Sequence, residues 1–365
     1  MTTAAPVPTA APTAPPVAGA TTLTELRAGQ PAALAVPGAR ERIRSMNRDA
    51  AQHVVVLDDD PTGSQVVHGL PVLTRWDDDD LRWAFAHPAR AFFVLTNSRS
   101  LPARQTDELL RDLGARLHRV GAEVGTEVVL LSRSDSTLRG HYPLETDVLA
   151  QVAAGRGAPY DAVLLVPAYL DAGRVTVDDV HYARDGVAYV PVGSTDYATD
   201  DAFGYTSSRL SQWVQEKTGS RVLARDVLQL RLADIRGGGV ERVAELLLGA
   251  RGGRVVTVDA LDESDLEVVA LALGAAERTG WRALCRVGPS FVPVRTGIDR
   301  RPPLLPVEVA GDPPRAGHGL VVVGSHVELT TRQVAALLQL PGLEPVELDV
   351  DALADPARRQ AETER

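Results

Sequence analysis

Three aspartates follow an apolar run in the stretch VVVLDDDPTGS, residues 54–64. Carboxylates this close together repel one another and resist removal from water, so a buried strand that ends in three of them needs compensating partners. Asp, Pro and Gly are also turn formers, and a solvated turn is the simplest interpretation of this stretch. The alternative is a site in which an aspartate takes a proton from a substrate hydroxyl or holds a magnesium ion.

A second polar stretch, SRSDSTLRG at residues 132–140, offers hydroxyl groups, backbone N–H groups and arginines. Pro143 and Glu145 follow it, and both residue types are favoured in the first turn of a helix. A helix N-terminus beside the guanidinium of Arg139 suits a carboxylate or a phosphate. In the alternative interpretation Asp135 caps a turn and Arg139 pairs with a neighbouring acid, and the spacing favours neither.

Three more arginines are candidates for the same site. Arg99 in TNSRS and Arg174 in DAGR are candidate anion-binding groups, and Arg133 can pair with the aspartates and keep some of them ionised at neutral pH. The residues therefore indicate an acidic substrate bound by arginines, with an aspartate acting on its hydroxyl group.

The elements that must position these residues are apolar runs that alternate with amphipathic, helix-like segments. The runs lie at 53–57, 91–95, 127–131, 162–166, 254–258 and 320–323. Because they are continuous rather than alternating, they predict strands covered on both faces, and hence an α/β fold with a mainly parallel sheet flanked by helices. The first four runs end in polar loops, which a parallel sheet brings to its carboxyl edge, so we expect one shared site there.

The amino-acid composition limits which binding partners and which cellular compartment are expected for this protein. The net charge of −10 over 365 residues argues against binding nucleic acid or an anionic membrane surface, and the longest apolar runs fall well short of a membrane span. The single cysteine, Cys285, allows no internal disulfide, which suits a reducing cytoplasm. The absence of a Cys/His cluster predicts no structural metal site, and the only lysine, Lys217, lacks the glycines of a Walker-type loop.

Four segments are predicted along the chain. An uncharged Ala/Pro/Thr-rich tail at 1–24 is expected to be disordered, and 50–298 is expected to form the first α/β domain. A Pro-rich linker at 299–316 leads into the start of a second α/β domain at 317–365.

Two enzyme families share motifs with this chain. Asp58, Asp60 and Thr62 spell Asp-x-Asp-x-Thr after an apolar strand, which resembles the nucleophile motif of haloacid dehalogenase-like phosphatases. That family also needs a lysine to neutralise the phosphate, and Lys217 lies in a helix-like setting.

A broader resemblance covers residues 53 to 340. The stretches LDDDPTGS, TNSRSL, SRSDSTLRGHYPLE, VPAYLDAGRVTVDDVHY, RVGPSFV and VVVGSHVELTTRQ occur in the order of the motifs of the four-carbon acid sugar kinase family. The chain departs from that pattern where Pro61 replaces an apolar residue, Arg133 replaces a lysine and Val175 replaces a threonine.

The resemblance implies an ATP- and Mg²⁺-dependent kinase that phosphorylates the terminal hydroxyl of threonate, erythronate or 3-oxo-tetronate. It implies a sugar-acid-binding domain followed by a nucleotide-binding domain. The implied catalytic residues are Asp59 and Asp60. The implied substrate-binding residues are Thr62, Gly63, Arg99, Arg133, Asp135, Ser136, Arg139 and Arg174. The implied nucleotide-binding residues are Gly324 and Ser325, and no residue is assigned to a metal.

The family's glycine-rich phosphate loop has no counterpart in this sequence. We therefore expect a truncated copy, a fragment, or a member of the family that has lost ATP binding. In each case the sugar-acid half is expected to be whole and kinase activity to be absent. Two other functions stay open, namely a non-catalytic sugar-acid-binding protein and the phosphatase, and the sequence leaves homo-oligomerisation open.

Overall fold

The computed structural model describes residues 19–302, 304–310, 319–325 and 328–364. The chain divides into two compact units, Met1–Pro302 and Pro303–Arg365. No helix in these described ranges is both long enough and apolar enough to cross a membrane.

Twelve strands lie in the described part of the first unit, residues 19–302. In chain order they are β1 (Thr21–Thr22), β2 (Gln52–Asp58), β3 (Val72–Leu73), β4 (Ala91–Leu95), β5 (Glu127–Arg133), β6 (Ala162–Val166), β7 (Arg174–Val177), β8 (Val180–Asp185), β9 (Ala188–Pro191), β10 (Leu228–Leu230), β11 (Arg254–Val258) and β12 (Ala283–Val287). Eight of them form one sheet in the order β10-β11-β6-β12-β5-β2-β4-β3. Every neighbouring pair in that sheet is parallel.

The helices of the first unit cover both faces of this sheet. They are α1 (Leu23–Arg27), α2 (Ala39–Asp49), α3 (Asp78–Phe85), α4 (Ala103–Glu123), α5 (Leu144–Gly155), α6 (Leu210–Lys217), α7 (Gly238–Leu248), α8 (Glu263–Glu277) and α9 (Phe291–Thr296). Helices α10 (Pro306–Ala310), α11 (Glu328–Leu337), α12 (Val350–Ala354) and α13 (Arg359–Thr363) belong to the second unit.

Both faces of strand β2 are buried, which explains why its apolar run is continuous. Val54 and Val56 belong to the core cluster that includes residues of α2 and α8, whereas Val55 and Leu57 belong to the cluster that includes residues of α3, α4 and α5. Successive side chains point to opposite faces of a strand, so burial of both faces requires apolar residues at every position. The expected α/β fold with a mainly parallel sheet flanked by helices is confirmed.

A second, antiparallel sheet of four short strands was not predicted. Its order is β1-β9-β8-β7, and the turn between β7 and β8 holds Asp178 and Asp179 at φ +51° and +67°. The carboxylate of Asp259, just after β11, accepts hydrogen bonds from both of their backbone N–H groups, at 2.8 and 3.0 Å. This contact fixes the hairpin to the carboxyl edge of the main sheet.

Two expectations about the ends of the chain need correction. Of the tail expected to be disordered, residues 1–18 lie outside the described part, but Thr21–Thr22 pairs with β9 and Thr22 caps α1 in a capping box with Glu25. The strand expected at 320–323 is not formed. These residues are exposed, and no described strand pairs with them, so their backbone groups lack the partners that a strand requires.

Leu130 tests the packing of the central sheet. Its side chain is fully buried in β5, so we expect Leu130→Ala to lower the free energy of unfolding by about 2–5 kcal/mol. Val187→Ala, at a position that is 91% exposed, is the control and should change it by less than about 0.5 kcal/mol. Urea unfolding followed by circular dichroism measures both, and equal effects would contradict the described burial.

Candidate functional site

The candidate site lies at the carboxyl edge of the main sheet, around the end of β2. From β2 the chain runs to β3 and β4 on one side, and then returns to β5 on the other side of β2. Loops that leave neighbouring strands in opposite directions open a crevice at such a point, where open α/β sheets bind their ligands. The three aspartates and the loops after β4 and β5 meet there.

Asp58, the last residue of β2, is sealed inside the protein. Arg133 Nη1 donates to its Oδ1 at 2.9 Å, and both side chains are buried. Burial raises the pKa of Asp58 to about 6, although Arg133 opposes the shift. Gly63 closes over this carboxylate, since a Cβ at residue 63 would lie 1.6 Å from Oδ2. Asp58 is therefore out of reach of a substrate.

Asp59 and Asp60 share one arginine. Arg99 donates from Nε and Nη2 to the two carboxylate oxygens of Asp59, at 3.1 and 2.5 Å, and from Nη1 to Asp60 at 3.0 Å. The side chain of Asp59 is 5% exposed, whereas that of Asp60 is 27% exposed. Asp60 is thus the carboxylate of this group that solvent, and hence a ligand, reaches.

The two carboxylates differ in their pKa. Burial raises the pKa of Asp59, and Arg99 opposes that shift. Burial also acts on Asp60, but the hydroxyl and backbone N–H of Thr62 donate to its Oδ1, at 2.5 and 2.8 Å, and lower its pKa below the ordinary value. Asp60 is therefore ionised at neutral pH.

The loop after β5 holds a further ion pair. Arg139 Nε donates to Asp135 Oδ2 at 2.7 Å, and the Thr137 hydroxyl donates to the same oxygen. Burial alone would raise the pKa of Asp135, but the charges of Arg139 and Arg99 lower it. Of the two interpretations left open for this loop, the pairing of Arg139 with an acid is present.

Arg139 and Arg174 converge on one aromatic ring. Their guanidinium carbons lie 5.2 and 5.6 Å from the centroid of the Tyr197 ring, and Arg174 Nη2 donates to the Tyr197 hydroxyl at 3.1 Å. Arg139 Nη1 also lies 3.6 Å from Asp200. Two arginines from distant parts of the sequence therefore form one positively charged wall.

A second buried ion pair is connected to Asp59 through Ser134. Arg286, on β12, pairs with Glu145 at the start of α5, and its guanidinium lies 5.5 and 5.4 Å from the rings of Tyr142 and Trp213. The Ser134 hydroxyl lies 3.1 Å from both Asp59 Oδ2 and Glu145 Oε1, and so connects the two pairs.

These supporting residues were not predicted as site residues. Glu145 was assigned only to a helix N-terminus, and Arg286 lies in an apolar strand where one charge carries no spacing signal. The signal for Arg286 was its place in the motif RVGPSFV. Tyr197 belongs to no motif.

Ser136 contributes its carbonyl rather than its hydroxyl to the local structure. His181 Nε2 lies 2.7 Å from this carbonyl, so Nε2 carries a proton, and Nδ1 accepts from the Thr176 hydroxyl at 2.9 Å. Complete burial lowers the pKa of His181 to about 4. A neutral imidazole thus joins the loop after β5 to the antiparallel sheet.

The predicted site residues of the first unit form one connected network at this edge. The predicted nucleotide residues Gly324 and Ser325 lie in the second unit, where both are exposed and the Ser325 hydroxyl accepts from Thr330 at 3.0 Å. Within the described ranges, no group of three or more His, Cys, Asp or Glu side chains is arranged to hold a metal ion. The carboxylates of the site do not form a metal centre by themselves.

The arrangement favours binding of an organic acid. Carboxylates and guanidinium groups alternate across the site, and Arg139 and Arg174 form its most basic wall. A charge-assisted bond from arginine suits a carboxylate, and an ionised aspartate such as Asp60 suits a hydroxyl group as its hydrogen-bond acceptor.

Comparison with known families gives two matches. Residues 54–294 match the model of a sugar-binding N-terminal domain, and residues 320–365 match that of a nucleotide-binding C-terminal domain.

Curated relatives are kinases of four-carbon acids. The D-threonate kinase of Bordetella bronchiseptica is 31% identical over 300 residues, which are 79% of this chain and 62% of the relative. The D-threonate kinase of Salmonella typhimurium is 27% identical over 84% of this chain and 66% of the relative. The D-erythronate kinase of Heliobacterium modesticaldum is 28% identical over 64% of this chain and 48% of the relative. The chain thus spans less than two thirds of the length of each.

Solved structures share the fold. A Bordetella bronchiseptica protein, described as a domain of unknown function with bound citrate in a domain-swapped dimer, has a TM-score of 0.51 and 26% identity over 86% of this chain and 69% of that one. A Salmonella typhimurium protein described as a putative tRNA synthase has a TM-score of 0.55 and 18% identity over 86% of this chain and 70% of that one, and it shows likeness of fold alone.

His181 should make stability depend on pH. Its pKa of about 4 in the folded protein lies below the ordinary histidine value of 6.5, so the unfolded chain takes up the proton first. The stability that neutral His181 provides is present above pH 6.5 and is lost as the pH falls towards 4, by about 3 kcal/mol. We expect the loss of unfolding free energy between pH 7 and 4 to be smaller by about that amount in His181→Gln.

Urea titrations at several pH values measure this difference. His68→Gln, at an exposed histidine, is the control and should keep the dependence of the unchanged protein. The same dependence in His181→Gln would contradict a buried neutral imidazole.

Proposed function

We propose that this chain, which belongs to the four-carbon acid sugar kinase family, binds a four-carbon sugar acid at the carboxyl edge of its main sheet. The resemblance drawn from its motifs is confirmed by the two family models. The observation that carries the proposal is the presence, at one edge of the sheet, of both a basic wall formed by Arg139 and Arg174 and the partly exposed carboxylate of Asp60.

In the proposed complex the arginines bind the carboxylate of the sugar acid. Arg139 and Arg174 are the proposed donors. Arg139 also pairs with Asp135, but its side chain is 28% exposed, whereas Arg99 and Arg133 are 19% and 5% exposed and donate to Asp59, Asp60 and Asp58. The citrate in the Bordetella bronchiseptica relative is itself a carboxylic acid, and this supports a carboxylate site in the shared fold.

The terminal hydroxyl of the sugar acid faces the aspartates in this proposal. Asp60 is the accessible carboxylate and accepts the hydroxyl proton, while Asp59 holds Arg99 in place. Thr62 orients Asp60, and Gly63, Asp135 and Ser136 shape the loops around it.

We further propose ATP as the phosphoryl donor. The match of residues 320–365 to a nucleotide-binding domain supports this, and Gly324 and Ser325 are the proposed contacts. Mg²⁺ commonly binds through substrate phosphates with few protein ligands, so we expect it to arrive with the nucleotide. Phosphoryl transfer depends mainly on positioning and charge stabilisation, which arginines and an ionised aspartate supply.

The phosphatase is the weaker alternative. Its nucleophile would be Asp58, but that carboxylate is buried, paired with Arg133 and covered by Gly63.

A domain-swapped dimer in the Bordetella bronchiseptica relative supports the further proposal that this chain forms a homo-oligomer, which size-exclusion chromatography with light scattering tests.

Arg139→Ala tests the sugar-acid site. We expect D-threonate or D-erythronate to bind about 10- to 100-fold more weakly, because a hydrogen bond to a charged group contributes about 1.5–3 kcal/mol. Arg104→Ala, which removes an exposed arginine of α4, is the matched control and should bind normally. Isothermal titration calorimetry measures both, and unchanged affinity in Arg139→Ala would remove this residue from the site.

Single Asp→Asn changes at 58, 59 and 60 separate the enzyme classes. If the chain transfers a phosphoryl group from ATP to D-threonate, we expect Asp60→Asn to lower that transfer by about 100-fold or more. Hydrolysis of p-nitrophenyl phosphate that disappears in Asp58→Asn would instead favour the phosphatase. A chain that binds D-threonate but neither binds ATP nor transfers a phosphoryl group would be a non-catalytic sugar-acid-binding protein.

A further inference from the structure

Tyr197 lies where the two arginines of the basic wall meet, and no sequence motif or family match assigns it a role. Its ring lies 5.2 Å from the guanidinium carbon of Arg139 and 5.6 Å from that of Arg174. Both guanidinium groups are therefore within range of the ring for a cation–π contact.

The hydrogen bond between Arg174 and Tyr197 has only one possible direction. A guanidinium group donates and never accepts, so in the 3.1 Å contact the tyrosine oxygen is the acceptor. The O–H of Tyr197 remains a donor, and it has no acceptor among the residues that the structure describes. The buried Nε of Arg174 also has no hydrogen-bond partner within the described part of the chain. Two donors at this place, the Tyr197 O–H and Arg174 Nε, thus have no acceptor among the described residues.

The loop that carries Tyr197 is held firmly against the loop after β5. Ala198, the next residue, is buried, and its carbonyl accepts from the Tyr205 backbone N–H at 3.0 Å. The Tyr205 hydroxyl donates to the Thr137 carbonyl at 2.6 Å. Asp200 folds the same loop by accepting from the backbone N–H groups of residues 202 and 203. The residues that follow Tyr197 are therefore anchored within their own loop and to the loop after β5.

We propose that Tyr197 is a specificity-determining residue, whose O–H donates a hydrogen bond to the carboxylate of the sugar acid between Arg139 and Arg174. This inference rests on the proposed function. A neutral polyol of the same length offers no anionic acceptor to the three convergent donors, so Tyr197 favours an acid over an alcohol. If the ring served only as a spacer between two arginines, its hydroxyl would not matter for binding.

Tyr197→Phe separates these two roles, because it removes the hydroxyl and keeps the ring. Calorimetry with D-threonate, D-erythronate and the neutral polyol threitol gives the affinities. We expect the acids to bind about tenfold more weakly to Tyr197→Phe, with threitol binding unchanged, so that discrimination between acid and polyol falls. Tyr182→Phe, on β8, is the matched control and should bind like the unchanged protein.

The binding results for the two variants distinguish failure of the Tyr197 inference from failure of the proposed function. Normal binding of the acids by Tyr197→Phe, together with weak binding by Arg139→Ala, would overturn the role of Tyr197 and leave the sugar-acid site. An unchanged protein that binds neither acid, or an Arg139→Ala variant that binds both normally, would overturn the proposed function and this inference with it. Circular dichroism and the unfolding temperature of Tyr197→Phe check that the fold is retained.

Discussion

Compensation of buried carboxylates by arginines is the interaction on which this site depends. Asp58, Asp59 and Glu145 are almost completely buried, and each contacts a guanidinium group that comes from a different strand or loop. An unpaired charge in such surroundings costs several kcal/mol, so each arginine is needed where it lies. The sheet brings these loops close to one another, and the ion pairs hold them in their relative positions.

The parallel sheet makes this compensation possible. Residues 58, 99, 133 and 286 are far apart in the chain, yet each lies at or near the carboxyl end of a strand among four neighbouring ones, β4, β2, β5 and β12. Parallel strands bring such ends to one edge, so charges scattered along the sequence become a single cluster. The antiparallel sheet adds Arg174 and His181, and its clamp at Asp259 keeps them beside the same edge.

The parts of this structure that sequence predicts are those with a local signal. Continuous apolar runs identified five buried strands, and the polar loops after them identified the edge at which the candidate site lies. The only signal for Arg286 was its place in the motif RVGPSFV, and Tyr197 had none. The roles of these two residues depend on neighbours that are distant in sequence. The run at 320–323 was predicted as a strand for the same local reason, but a strand also needs a partner, and no described residue pairs with it.

Arg133 shows how a departure from a family motif can be accommodated. The resemblance has a lysine at this position, and here the guanidinium pairs with Asp58 while the backbone carbonyl of Arg133 accepts from the Asp59 N–H at 3.2 Å. The Asp58 carbonyl in turn accepts from the N–H and hydroxyl of Thr96, at 2.9 and 2.8 Å. The pair at the end of β2 thus joins β5 on one side to the loop after β4 on the other. Arg133 and Asp58 thus form the buried base of the candidate site, whereas Asp60 and Arg139 remain partly exposed to solvent.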